Sequence, residues 1–255
     1  MKLFSRIFGE GKPIIILHGL FGMSDNWNTL AKKFSKDFCV HVVDLRNHGY
    51  SPHSSHFNYK LLSEDILEYI NQQGLFKPVI IGHSLGGKIT MKLVATQSSI
   101  VEKIVIVDIS PRNYDIMFHQ NILKILNAID LSKHFSRQEI DHNLSNDIPD
   151  KNIRSFLLKN LYRNENKLFA WKFNIDSLLN NLHNINEDFL IGKSIDIPAL
   201  FLKGERSNYI TVKDERLIKN HFSQAIIKKI NHAGHWVHAE NPDQFYLEVS
   251  SFINL

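Results

Sequence analysis

Short runs of consecutive apolar residues punctuate the chain: Pro13 to Leu17, Phe38 to Val43, Val79 to Ile81, Lys103 to Val107, Pro198 to Leu202 and Ala225 to Ile230. They are rich in Ile and Val and too continuous for strands with one wet face. They therefore predict a parallel sheet covered on both sides. Between them the apolar positions take helical spacing. Ser24 to Phe34 opens on a serine suited to an N-cap, and Asn58 to Gln72 places Leu61, Leu62, Ile66 and Tyr69 at helical intervals. Ser84 to Gln97 follows the third apolar run. This alternation predicts an α/β fold built on a mostly parallel, doubly wound sheet.

The rhythm stops after Ser110-Pro111. From Arg112 to about Ile195 the pattern offers no strand-like run, only helical segments such as Ile116 to Ile129 and Asn152 to Tyr162. Sheet rhythm resumes at Ile197-Pro198. The expected organisation is an α/β core over residues 1–111 and 196–255, with a helical cap inserted over 112–195 and lying over the site. Eleven Lys and Arg against ten Asp and Glu in that insert leave it nearly neutral, with no special attraction for polyanionic substrates.

Composition narrows the class. With 255 residues, 43% hydrophobic and 22% charged, the chain can bury a large core as one domain with an insertion. The formal charge of +4 is scattered, with no basic block interleaved by aromatics, so no nucleic-acid partner is expected. The single cysteine, Cys39, lies in an apolar run and reads as a buried structural thiol. No stretch is long and apolar enough for a signal peptide or a membrane span, so a cytoplasmic location is the expectation. Nothing in the sequence speaks to oligomeric state.

The chemistry begins at Gly82-His83-Ser84-Leu85-Gly86, placed between a strand-like run and a helix-like run. Gly-x-Ser-x-Gly in that setting is a nucleophile elbow, a turn so sharp that only small residues fit two places either side of the serine. It lifts the hydroxyl into the open and puts the Leu85 N–H where an oxyanion would form. A serine nucleophile needs a general base and a group orienting that base. Of fourteen histidines, His235 in Ala233-Gly234-His235-Trp236 follows the last strand-like run, on the sheet edge that carries Ser84. His232 and His238 complete a His-x-x-His-x-x-His spacing that could bind a metal on a helix. Gly234 makes this segment a loop, however, and no carboxylate or cysteine completes a ligand set, so no metal and no cofactor are expected. His83 and His18 read as structural.

The orienting acid is less direct. The turn after the strand-like run Pro198 to Leu202 could carry it, but it reads Gly204-Glu205-Arg206-Ser207, with a serine in place of an aspartate. Asp108, ending the strand after the nucleophile helix, is the preferred acid. Glu205 and a solvent-facing Asp214 are the alternatives. A second oxyanion donor is expected from His18-Gly19-Leu20-Phe21-Gly22, from Leu20 rather than Phe21. Asp44 to Ser51 reads as a hydrogen-bonded turn bracing the elbow, with Gly49 in a left-handed conformation.

Together these residues resemble the α/β-hydrolase superfamily and, within it, the small bacterial YbfF-type esterases, whose relatives include mitochondrial abhydrolase proteins. The resemblance rests on His18-Gly-Leu-Phe-Gly22, Asp44-x-Arg46-Asn-His-Gly49, Gly82-His-Ser84-x-Gly-Gly-Lys88, Asp108-Ile-x-Pro111 and Gly234-His-Trp-Val-His-Ala239. It extends loosely into the insert at Phe156 to Lys159 and Trp171 to Asn174. That subfamily takes its acid from the strand after the nucleophile helix, which favours Asp108 independently. It implies hydrolysis of short-to-medium acyl esters or acyl-thioesters. Phe118, Phe156, Leu157, Leu161 and Trp171 of the insert, with Phe21 and Trp236, are then the expected substrate-binding residues. A C–C bond hydrolase or lyase on the same fold is the alternative enzyme, and a non-catalytic ligand-binding protein the alternative outside catalysis.

Overall fold

The computed structural model describes residues 1–187 and 194–254, so residues 188–193 of the expected cap lie outside the described residues. Strands are β1 (Ser5–Phe8), β2 (Lys12–Leu17), β3 (Phe38–Val43), β4 (Val79–His83), β5 (Ile104–Val107), β6 (Leu161–Arg163), β7 (Phe169–Trp171), β8 (Ala199–Gly204) and β9 (Ala225–Ile230). Helices are α1 (Asn28–Phe34), α2 (Tyr59–Gln72), α3 (Leu85–Gln97), α4 (Met117–Ala128), α5 (Arg137–Ser145), α6 (Lys151–Leu158), α7 (Ile175–Asn181), α8 (Val212–His221), α9 (Val237–Glu240) and α10 (Pro242–Ile253).

Among the described residues seven strands form one sheet in the order β1-β3-β2-β4-β5-β8-β9. Only the β1–β3 pair is antiparallel; the other pairs are parallel. The apolar runs are continuous because both faces are covered. On β2, Ile14 and Ile16 join a cluster with Trp27, Phe34 and α10 (Phe245, Val249), while Ile15 and Leu17 join one with α2 (Leu62, Ile66) and α3 (Ile89, Leu93). Alternate side chains thus point to opposite layers, both apolar. β3 carries one buried exception, His41, whose Nδ1 lies 2.8 Å from the Tyr69 hydroxyl.

The chain crosses from β3 over β2 to β4, so β2 and β4 flank the point where strand order reverses. In an open α/β sheet, that crevice at the carboxyl ends of the strands is where ligands bind.

Four sequence expectations are corrected. β1 was not anticipated, because its four residues mix Ser5 and Arg6 with apolar positions at an edge. Ser24 does not cap a continuous helix: residues Ser24–Trp27 form a 3₁₀ turn, the Ser24 N–H donates to Asp44 Oδ1 at 2.5 Å, and α1 starts at Asn28. The segment between β5 and β8 is not strand-free, since β6 and β7 form an antiparallel hairpin turned at Lys167 (φ 61°). Three-residue strands are too short to show period-two alternation, and α6 accordingly stops at Leu158 rather than running to Tyr162. The Asp44–Ser51 turn is hydrogen-bonded within itself and reaches α7 as well as His18 of the loop beside the elbow. Asp44 accepts from Tyr50 N (2.9 Å), Ser51 Oγ donates to Asp44 O (2.5 Å), and Asn47 Nδ2 donates to Ser177 Oγ (2.9 Å). Gly49 has φ 58°, and a Cβ there would strike the Asp44 carboxylate.

The segment between β5 and β8 is not a loose appendage. Ile122, Leu126, Leu144, Leu157, Phe173 and Leu178 belong to the same apolar cluster as α2 and α3. Asn160 Nδ2 also donates to Phe21 O at 2.8 Å, tying the segment to the loop after β2.

Candidate active site

Ser84 sits between β4 and α3 at φ 50°, ψ −111°, a conformation that L residues rarely adopt. The turn closes only because its neighbours lack side chains. A Cβ on Gly82 would strike the Gly86 carbonyl, and a Cβ on Gly86 would strike the Leu17 carbonyl of β2. Ser84 N donates to Val107 O at 3.0 Å, pinning the elbow to the next strand. Leu85 opens α3, so its N–H is one of the helix's first, unbonded donors. Leu20 reaches the same place from the loop after β2. Gly22 N donates to Gly19 O at 2.9 Å and Phe21 stands at φ 62°, which curls that loop over the elbow.

Asp108 terminates β5 and is fully buried at φ 49°. Its carboxylate accepts three hydrogen bonds: from His235 Nδ1–H to Oδ2 at 2.8 Å, from Gly204 N to Oδ1 at 3.0 Å, and from the Ser207 hydroxyl to Oδ2. A buried anion needs such partners, and together they hold the strained backbone in place. Ser207 occupies the place where the common plan carries an aspartate, and here its hydroxyl donates to Asp108 instead. The sequence showed this position only as a departure. Glu205 turns away, pairing with Lys229 at 3.1 Å and accepting from His232 N at 2.8 Å. Asp214 does not face solvent, contrary to the sequence expectation. It is 3% exposed, closes a capping box with Thr211 at the start of α8, pairs with Arg112 at 2.8 Å and accepts from Ser110 Oγ at 2.8 Å. Helical periodicity placed it on an outer face, but the segment after β5 covers that end of α8.

The His235 ring is held from several directions. Tyr209 stacks on it at 3.8 Å between centroids and 19° between planes. His83 Nε2–H donates to the His235 carbonyl at 2.9 Å, fixing the loop. The Ser84 hydroxyl makes no hydrogen bond with another described residue; Ser84 and His235 line one cavity of about 220 Å³. Phe21, Phe118, Phe156, Leu157 and Trp236 line it too. Leu161 and Trp171, expected there, do not. Leu161 is buried in the hairpin, and Trp171 stacks on Phe173 at 5.5 Å. A smaller cavity of about 60 Å³ leads from Leu20, Ser84 and Leu85 towards Lys88 and Tyr114. Of the lining residues that escaped sequence reading, two border both cavities, His119 of α4 and Tyr209. Neither sits in a motif that could have announced it. Among the described residues no group of three or more His, Cys, Asp or Glu side chains is placed to hold a metal ion.

Buried histidines frame the site. His18 Nδ1–H donates to Gly19 O at 2.8 Å while Nε2 accepts from Leu45 N at 3.0 Å. His238 stacks on Trp27 at 3.9 Å. Burial pushes His18 down to about 4, His48 and His238 to about 3, and His83 well below its ordinary 6.5. A depressed folded-state pKa means that the unfolded chain takes up protons below pH 6.5 that the folded chain refuses. The stability these rings contribute is complete above pH 6.5 and is lost as pH falls towards 4. Each ring gives a slope of about 1.4 kcal/mol per pH unit. All four act in the same direction, so stability falls as pH drops below 6.5. The melting temperature is therefore expected to be level between pH 7 and 8 and to fall steeply from pH 6 to 4.5, as read by circular dichroism. A level melting temperature down to pH 4.5 would contradict the buried neutral rings.

Comparison with known proteins agrees with this architecture. Residues 12–242 match the alpha/beta hydrolase fold family. The chain is 34% identical to Esterase YbfF of Escherichia coli over 245 residues, covering 96% of this chain and 94% of that one. It is 36% identical to the sn-1-specific diacylglycerol lipase ABHD11 of Mus musculus over 247 residues, covering 94% of this chain and 80% of that protein. A solved marine microorganism esterase superposes with a TM-score of 0.95 at 43% identity, over 98% of this chain and 99% of its own. With an elbow serine, a buried aspartate–histidine pair and an apolar cavity at the sheet's switch point, the chain belongs to the α/β-hydrolase family and, within it, to the YbfF-type esterases, enzymes that hydrolyse esters.

Proposed function

We propose that ester hydrolysis runs through Ser84, His235 and Asp108 by way of an acyl-enzyme. The observation that carries this reading is the 2.8 Å bond from His235 Nδ1 to the fully buried Asp108, with Ser84 lining the same cavity as the ring. Ser84 Oγ attacks the acyl carbon and His235 Nε2 takes its proton, a contact that closes when substrate fills the cavity. The Leu20 and Leu85 N–H groups receive the developing oxyanion, each worth about 3 kcal/mol of transition-state stabilisation. His235 returns the proton to the leaving group, and water then releases the acyl group by the same steps reversed. Asp108 holds the ring in the Nδ1–H tautomer and stabilises the imidazolium.

The substrates are short-to-medium acyl esters, with acyl-thioesters as a second leaving-group class. Phe21, Phe118, Phe156, Leu157 and Trp236 supply the apolar lining that holds them. The chain is assigned here as an α/β core over 1–111 and 196–255 with a cap over 112–195. The roof that α4 and α6 put over Ser84 supports that division.

The test is covalent labelling by a fluorophosphonate, with the adduct located by mass spectrometry, beside a panel of p-nitrophenyl esters and acyl-CoA thioesters of rising chain length. Stoichiometric label on Ser84 with turnover of the panel is expected. Label on Ser84 without turnover of any ester or thioester would favour a C–C bond hydrolase or lyase.

A further inference from the structure

His119 is a polar ring at the site to which the catalytic scheme above gives no work. It lies near the start of α4, and its position borders both cavities that meet at Ser84, a property it shares with Leu20, Ser84 and Tyr209. It therefore borders the space on both sides of the point where the two cavities meet at Ser84. Its ring neighbours are aromatic faces, Phe21 at 6.1 Å and Phe118 at 5.5 Å, and its ring makes no hydrogen bond with another described residue. Burial, with His235 nearby, lowers its pKa to about 4, so at neutral pH the ring offers one N–H donor and one bare nitrogen acceptor. The ring is half-buried, and with no protein partner its nitrogens remain available to whatever fills the cavities it borders. Here the space it faces is the substrate's own.

Resting on the serine-esterase reading, we infer that His119 is a specificity-determining residue: it hydrogen-bonds a hydroxyl or carbonyl group that the substrate carries close to the scissile ester. The substrate class is then polar-substituted short esters, either of hydroxy or oxo acids or of polyols, rather than plain alkyl esters. Because His119 borders both cavities, the group it reads can belong to the acid or to the alcohol, and matched substrate pairs separate the two.

The experiment compares kcat/KM within two pairs, methyl 3-hydroxybutyrate against methyl butyrate and 2,3-dihydroxypropyl butyrate against propyl butyrate. A site that hydrogen-bonds a substrate group rejects the analogue lacking it by about tenfold for a good single bond, and by far more when the site's polar groups are left buried and unpaired. The wild-type enzyme is expected to favour the polar member of one pair by about tenfold or more. The pair that responds identifies the side. His119→Leu should bring that ratio to near one, while His119→Gln, which keeps a donor and an acceptor, should retain most of it. Because the readout is a ratio within one variant, a general loss of activity or of folded protein does not move it. A wild-type ratio near one in both pairs, or a ratio unchanged in His119→Leu, overturns the inference. So does failure to hydrolyse any of the four esters while fluorophosphonate still labels Ser84, which leaves the nucleophile standing. Absence of both turnover and label removes the serine reading, and this inference with it.

Discussion

Ser84→Ala is expected to lower kcat/KM for p-nitrophenyl butyrate by about 10⁴-fold or more, the loss typical of removing a nucleophile whose partners act as a unit. The reasoning is local. The hydroxyl sits on the turn between β4 and α3, and Ser84 lines one cavity with Leu20 and His235 and a second with Leu20 and Leu85. No neighbouring hydroxyl takes its place on that turn, because the flanking positions are His83 and Leu85. The residual rate would come from the oxyanion donors and from binding alone. The fold should survive, since alanine keeps the Cβ that serine already carries at φ 50° and the hydroxyl bonds no other described residue. Thermal melts within a few degrees of wild type, together with loss of fluorophosphonate labelling, complete the expected result. Near-normal turnover by the variant would remove Ser84 from the chemistry.

Asp108→Asn should cost about 10⁴-fold in kcat, with a far smaller effect on substrate affinity. Asp108 is fully buried and accepts from three donors at once, so its carboxylate has no lone pair facing water. An asparagine must aim its NH₂ at one of those donors. If the NH₂ faces His235, the ring flips its proton to Nε2 and can no longer accept from Ser84. Asp214→Asn is the informative contrast. Asp214 is also buried, but it bonds Thr211, Ser110 and Arg112, not the imidazole. Its replacement should cost about 1 kcal/mol of stability through the weakened helix start and ion pair. kcat should stay within a few-fold. Steady-state kinetics and thermal melts on the two variants separate the roles, and a reversal of the two kcat effects would reassign the acid.

The strands that carry the site were legible because full burial on two faces forces unbroken Ile and Val runs. The Ser84 turn and the His235 loop were legible because each is punctuated by glycines. The carboxylate that pairs with His235 was legible only as a choice among three. Asp108, Glu205 and Asp214 are chemically alike, and what separates them is which one the pairing of β5 with β8 leaves beside the imidazole. Ser207 illustrates the same limit. In sequence it is an absent aspartate, whereas in space it donates to Asp108. Lining residues were the least legible, since Phe156 and Leu157 face the cavity while Leu161 and Trp171, equally apolar and close in sequence, pack into a hairpin.

The order of residues along the chain determined the α/β class, the interruption between β5 and β8, and the serine and histidine positions, because periodicity and glycine geometry act over a few neighbouring residues. The convergence of residues 84, 108 and 235, the choice of carboxylate, the division of apolar side chains between packing and cavity, and the exposure of His119 to both cavities were decided by the tertiary structure. Those properties depend on which surfaces meet across tens of residues of intervening chain, and a local pattern carries no record of that meeting.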